Sequence, residues 1–518
     1  MVLPDLYPAQ VGSPYTTLSA SYTTGGTTMS LTDASKLPNA PNIVCLSGTV
    51  SGEFKYTGKS GNDLTGVSKL AGTPTATWAS GTYAFRGIAA YDLTSLQGIT
   101  SSLYEKVNTM DAANSPIIGI KWDTTSTSPT LTRIDASGAT LGAMTAADFD
   151  KHINFGGRRR CVRDRTTGAI TFGTNARGDG LTLDGTAGDV FVYDPIMYVK
   201  ADYGVAGAGI ARYWISPKPA AGFVVHPDWM QRNNGIASPV KYRGAYESHG
   251  YLDGSTFKLG SASGKVPITG GVSYPDLPNS GRFNMGDAET YGNNITGTTR
   301  SGCENVWAYS ANQIRMYIEF ATLDIQTALG KGVVDLASGT DFAGKNTGAD
   351  SIDSRLAENG TGTGSGTNGQ TPICWRGEEN PYGNTHKFII GANFFLDGSV
   401  RLLKRDGTGT IAATLAAGSY DTVTGPVSLT NGYTSAVLHD SVSDIAFLAG
   451  SVTGGGSGYF LCDQFIAPTV NGNILLAGGS WYYGLTAGAG SRIATNAPSD
   501  SFRGFSARLE FYPEGGSA

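Results

Sequence analysis

The chain has 518 residues, of which 73 are glycine and 15% are charged, with a formal net charge of −5. Glycine at about twice its ordinary ~7% share, with so few charges, points to β-structure joined by tight turns. The absence of a basic excess argues against nucleic-acid binding, and no run of 18 apolar residues is present to cross a membrane.

Residues 1–92 read as a β-rich unit. Thr27-Thr28-Met29-Ser30-Leu31 alternates, Ile43-Val44-Cys45-Leu46 and Glu53-Phe54-Lys55-Tyr56 read as strands, and Gly61-Asn62 is a turn before Leu64-Thr65-Gly66-Val67. Residues 93–114 form a linker. Leu93, Leu96, Ile99, Leu103 and Val107 recur at helical spacing behind Asp92 as N-cap, so a helix is expected over 93–108, packed on its own domain or along a threefold seam. Residues 115–193 read as a β-rich connector with strands at 117–120 and 190–193. Residues 194–518 make the largest unit, of α+β type. Strands are expected at 212–216 and 242–247. A helix is expected over 311–329, capped by Ser310 and ended by Gly330, with Ile314, Ile318, Ala321, Ile325 and Leu329 on one face. The stretch 358–371 is glycine-rich and of low complexity, and reads as a surface loop. The fold class is therefore mainly β with α+β.

The five cysteines (Cys45, Cys161, Cys303, Cys374, Cys462) lie too far apart for a CxxC site, and their odd number argues against a disulfide framework. They are expected as small buried apolar groups. Met1-Val2-Leu3-Pro4-Asp5 lacks the basic start and apolar core of a signal peptide, so no secretory leader is expected. The basic run Arg158-Arg159-Arg160 with Arg163 and Arg165 is expected to form a solvated or intersubunit salt-bridged hairpin rather than a ligand patch.

One segment reads as a display surface. Gly478-Gly479-Ser480-Trp481, Arg492 and Arg508 supply a frame, and side chains with no evident structural need stand between them. Trp481, Arg492 and Arg508 are expected to serve structure, the arginines through their planar forks. Glu378, Glu379, Asn384 and His386 offer carboxylates and an imidazole, but nothing fixes the separation that acid–base work requires. His226 reads as a core histidine. Asp463 and Asn471–Asn473 carry calcium-type oxygens without EF-hand spacing, so no metal or cofactor is expected.

Two resemblances add to this. Ser13-Pro14, the turn from Leu31 to Pro38, Tyr56-Thr57-Gly58, Gly61-Asn62-Asp63-Leu64-Thr65, Trp78, Gly81-Thr82 and Tyr91-Asp92 resemble a module common at the start of bacteriophage and prophage tail proteins. Three further passages are similar to the C-type-lectin-like domain of phage receptor-binding proteins, the major tropism determinants and other variable proteins of diversity-generating retroelements. They are Ile215-Ser216-Pro217 with Gly222 to Pro227, then Trp375-Arg376-Gly377-Glu378-Glu379-Asn380-Pro381-Tyr382-Gly383-Asn384, and finally Gly478 to Trp481 through Ser491-Arg492 to Ala507-Arg508. The resemblance implies a C-terminal lectin-like unit over 194–518 and a homotrimeric adhesin at the virion tail. It also implies a frame of Gly478, Gly479, Trp481, Arg492, Arg508, Trp375, Arg376, Asn380 and Asn384. The implied partners are a host cell-surface receptor, glycan or protein, and other tail proteins through the N-terminal module. Receptor contacts are then expected from Tyr482, Tyr483, Leu485, Thr486, Ile493, Thr495, Asn496, Asp500, Phe502 and Arg503, with Ile493 and Phe502 also able to fill a local core. Tyrosine gives contact area at low rotamer cost, and asparagine and threonine give adaptable hydrogen bonds. The same fold serves formylglycine-generating enzymes, which hold copper on two nearby cysteines. Only Cys462 follows Cys374 here, so the expectation is a binding protein and not an enzyme. The alternatives are a structural tail or baseplate component and a glycan-degrading tailspike.

Overall fold

The computed structural model describes residues 15–37, 39–47, 52–70, 73–86, 115–203, 209–270, 282–336, 368–423, 425–454 and 463–513. The expected linker helix over 93–108 lies outside them, as do Cys462 and all but the last few residues of the low-complexity stretch. Strand exceeds helix by 36% to 12%, which places the chain in the expected β-rich class. The chain divides into two compact units, residues 1–106 and 107–518.

In the first unit a five-stranded sheet runs in the order Tyr15–Thr17, Tyr83–Arg86, Asn42–Ser47, Gly52–Tyr56 and Ser68–Lys69. Residues of Gly52–Tyr56 alternate between buried and exposed, the pattern of a half-buried strand. Their inward side chains join Leu31, Val44, Leu64 and Trp78 in one core. Phe54 meets Trp78 edge-on at 5.3 Å. Gly52 is required here, because a Cβ would lie 2.7 Å from the Trp78 ring.

The second unit is built on three large sheets. One has five strands, ordered Thr132–Asp135, Ile118–Asp123, Ile210–Ser216, Tyr198–Asp202 and Val224–Val225. Another has six, ordered Ile170–Phe172, Arg159–Arg163, Asp189–Pro195, Val240–Gly244, Leu509–Phe511 and Ser301–Cys303. A third, nine-stranded sheet curls into a half-barrel at the C-terminal side. The boundary expected at 193/194 falls inside the strand Asp189–Pro195, and residues 115–193 share both smaller sheets with later residues. They form no separate layer.

The helix expected over 311–329 is two helices. The first spans Val306–Phe320, and Asn305 caps it by accepting from the amides of Trp307 (2.8 Å) and Ala308 (3.1 Å). It stops at Ala321, which adopts φ +52°. The second spans Ile325–Leu329, with Asp324 accepting from Thr327 N and Gly330 closing it. Ser310 is not the cap but lies buried inside the first helix.

The basic run departs from its expectation. Arg158 and Arg160 are fully buried instead of forming a solvated hairpin. Arg158 lies 3.1 Å from Glu378, and Arg160 donates to the carbonyl of Gly377 at 2.8 Å. The carboxylate and carbonyl that make this burial possible come from distant parts of the chain. Cys161, Cys303 and Cys374 are buried thiols, and Cys45 is half-buried.

Candidate recognition surface

An ion network lies under the C-terminal loops. Glu378 faces Arg158 (3.1 Å), Arg243 (3.3 Å) and Arg508 (3.3 Å), and accepts from Asn312 at 2.8 Å. Burial alone would raise its carboxyl. The three guanidiniums outweigh burial and hold it well below the usual carboxylate range. Glu378 is thus an ionised acceptor locked in place and has no proton to donate. Burial pushes His386 down to about 3, so its ring is neutral, and neither ring nitrogen has a hydrogen-bond partner among the described residues. Glu378 and His386 therefore form no acid–base pair.

The network grips the Asn380–Asn384 turn. Arg508 donates to the carbonyls of Gly244 (2.7 Å), Glu379 (2.5 Å) and Asn380 (2.9 Å). Lys387 donates to the carbonyls of Gly383 and Thr385 while pairing with Glu247 at 3.1 Å. Asn384, at φ +63°, donates its side-chain amide to Glu247. Trp375 donates to Glu319 at 2.8 Å, and Arg376 pairs with Glu319 and with Asp150.

The turn in turn holds the display loop. Gly383 N donates to Gly478 O (2.8 Å), and Trp481 N donates to Asn384 O (3.1 Å). Leu336 N donates back to Trp481 O (2.7 Å), and the Trp481 ring packs on Val333. Gly479 has φ +74°, and a Cβ there would lie 2.3 Å from Ala487 Cβ. Arg492 donates to Ala446 O and to Gln313 Oε1, each at 2.5 Å. Gly478, Gly479, Trp481 and Arg492 thus lie in the loop or the strand that follows it, Asn380, Asn384 and Arg508 at the turn that holds it, and Trp375 and Arg376 against Glu319.

The expected contact residues separate into three groups. Tyr482 (48% exposed), Leu485 (48%), Phe502 (53%) and Arg503 face solvent, with half-buried Tyr483 and Thr486 beside them. Tyr483 meets His386 edge-on at 4.5 Å, and Phe502 meets Phe505 at 5.1 Å, so the patch rests on a floor of His386 and Phe505. Half-buried Thr495, Asn496 and Asp500 make a second group. Asn496 and Ala497 N both donate to Asp500 Oδ2, so these residues close their own turn. Ile493 is 5% exposed and packs with Phe388, Leu476 and Phe505. It belongs to the core and drops out of the contact set, because Arg492–Asn496 is paired on both edges and its side chain at this position points inward. Sequence reasoning missed His386 and Phe505 as the floor. Only the run of aromatics at 502 and 505 signals it.

Asp463 accepts from Gly490 N at 2.5 Å, and Asn473 Oδ1 accepts from Thr469 N and Val470 N. Among the described residues no three His, Cys, Asp or Glu side chains converge as metal ligands.

Comparison with solved structures finds similarity to variants of the Major Tropism Determinant. The P3c variant is 13% identical, with 76% of this chain and 85% of that chain covered and a TM-score of 0.21. For the M1 variant the values are 12%, 78%, 84% and 0.22. For the U1 variant they are 11%, 89%, 92% and 0.22. No protein-family profile and no curated protein matches the chain.

Proposed function

We propose that the chain is a bacteriophage tail adhesin that binds a host surface receptor non-covalently. Tyr482, Tyr483, Leu485 and Phe502 form the centre of its contact face. The observation that carries this reading is the exposure of three large apolar side chains on loops whose roots are fixed by buried arginines and glycines. Surface exposure of such groups on a rigid frame is the signature of a binding face. The frame lets the face be rigid before contact, which lowers the ordering entropy of binding. The tail-module and lectin-like sequence motifs support a virion setting, with threefold packing and several copies adding avidity. No covalent step is needed.

The test is adsorption of the fluorescently labelled chain to a panel of bacterial strains. Binding to at least one strain is expected, with a loss of tenfold or more in Tyr482→Ala/Leu485→Ala/Phe502→Ala at an unchanged melting temperature. Equal binding by the triple variant refutes the contact face. Absence of binding to any strain favours a structural tail component instead, and release of glycan fragments favours a tailspike.

A further inference from the structure

Arg163 and Arg165, at the half-buried end of the basic run, line a cleft of about 740 Å³ in the second unit. The cleft is walled by the turn that follows Arg159–Arg163, the hairpin of His249–Asp253 with Thr256–Gly260, and the loop after the helix Met285–Asn293. Its volume is that of a small-ligand site, typically ~300–1,000 Å³. Four cations line it, Arg163, Arg165, Lys258 and Arg300, against one lining carboxylate, Asp253. Arg165 and Lys258 are engaged with carboxylates. Arg165 lies 2.8 Å from buried Asp189 and stacks 3.9 Å above the Tyr251 ring, while Lys258 lies 2.8 Å from Asp253. Arg163 makes no ion pair among the described residues. Its guanidinium sits 5.6 Å over Phe511. That ring belongs to the strand Leu509–Phe511, which is hydrogen-bonded on both edges, so the guanidinium's platform is rigid. The rest of the wall is uncharged and mixed, with hydroxyls from Thr166, Thr167 and Thr296 beside apolar Ile170, Leu252 and Ile295.

We propose that this cleft binds a short acidic oligosaccharide. A guanidinium fork on a fixed platform suits a carboxylate. The threonine hydroxyls suit ring hydroxyls, and the half-buried Tyr251 offers apolar contact to a sugar face. The chain as a whole carries −5, so a long polyanion is repelled while a short ligand confined to this local excess of positive charge is not. The proposal is independent of the face around Tyr482 and of what that face binds.

The experiment is calorimetric titration of the full chain with tetragalacturonate, with neutral maltotetraose and with inorganic phosphate. Tetragalacturonate is expected to bind, at least tenfold more weakly at 500 mM than at 50 mM salt, and maltotetraose is not. Arg163→Gln and Arg300→Gln are each expected to weaken binding at least tenfold, and Tyr482→Ala/Phe502→Ala to leave it unchanged. Thermal melts check that each variant is folded. If one arginine variant fails to fold, the other and the salt dependence of the unaltered chain still decide. Absence of tetragalacturonate binding, equal binding of maltotetraose, equal binding by folded Arg163→Gln, or binding of phosphate alone each overturns the proposal.

Discussion

Arg315 grips Asp194 at two points, with Nη1 2.6 Å from Oδ1 and Nη2 2.8 Å from Oδ2, and neither side chain reaches solvent. The fork ties the helix Val306–Phe320 to the strand Asp189–Pro195. Burial would raise the Asp194 carboxyl, but Arg315 and Arg158 outweigh it and keep the group ionised. Arg315→Leu leaves a buried carboxylate short of its main partner, so a loss of about 3–5 kcal/mol is expected. Arg315→Lys cannot rebuild the fork and is also expected to destabilise. Urea unfolding followed by tryptophan fluorescence measures both. A loss below about 1 kcal/mol for the leucine variant contradicts the assignment.

All five histidines are held below their ordinary range. Burial takes His152 to about 4 and His386 to about 3, and burial with Arg165 takes His249 to about 3. A depressed histidine adds stability that is complete above its unfolded value of about 6.5 and is lost as the pH falls toward the folded value. Each of these three is expected to remove about 1.4 kcal/mol per pH unit below that point. The melting temperature should therefore fall between pH 7.5 and pH 5. A flat or rising profile over that window refutes the prediction.

Asp463 has the opposite sign. It is 3% exposed, and burial pushes its carboxyl well above the usual range although it accepts from Gly490 N. A raised acid contributes stability below its unfolded value and loses it as the pH climbs. Asp463→Asn, whose amide oxygen can accept the same bond, is expected to raise the melting temperature at pH 8 and to leave it unchanged near pH 4. Differential scanning calorimetry at the two pH values decides.

The contact face and the core beneath it should separate by stability. Tyr482→Ala and Phe502→Ala are expected to change unfolding free energy by less than about 1 kcal/mol, whereas Ile493→Ala should cost about 2–5 kcal/mol. Similar costs for all three would mean that the exposed rings are structural.

Gly479→Ala tests the frame itself. The substituted residue would carry φ +74° and meet Ala487 at its Cα and Cβ. A cost of at least about 1 kcal/mol is expected, together with weakened cell adsorption although the contact side chains are untouched. Unchanged adsorption would show that the loop position is immaterial.

Legibility in the sequence followed the physical signal. Gly52–Tyr56 was readable because one face repeats every second residue, and Asn42–Ser47 because it holds a short unbroken apolar run. The start of Val306–Phe320 was not, because nearly every side chain in it is buried and no polar stripe marks its face. The glycine-bracketed loop at 478–484 was visible from residue type alone. The burial of Arg158 was not, since its partner Glu378 lies 220 positions away. For Ile493 the sequence left both a contact and a core role open, and the pairing of Arg492–Asn496 sends it inward.

The strand Leu509–Phe511 lies between Val240–Gly244 and Ser301–Cys303, not at the rim of its sheet. During synthesis those two neighbours must wait with open backbone edges until residues 509–511 emerge from the ribosome. Glu510, which Arg232 and Lys241 need as a counter-charge, arrives at the same moment. The second unit is therefore expected to acquire its native state only after translation of its whole length, so nascent chains stalled before residue 509 should be protease-sensitive and reliant on chaperones.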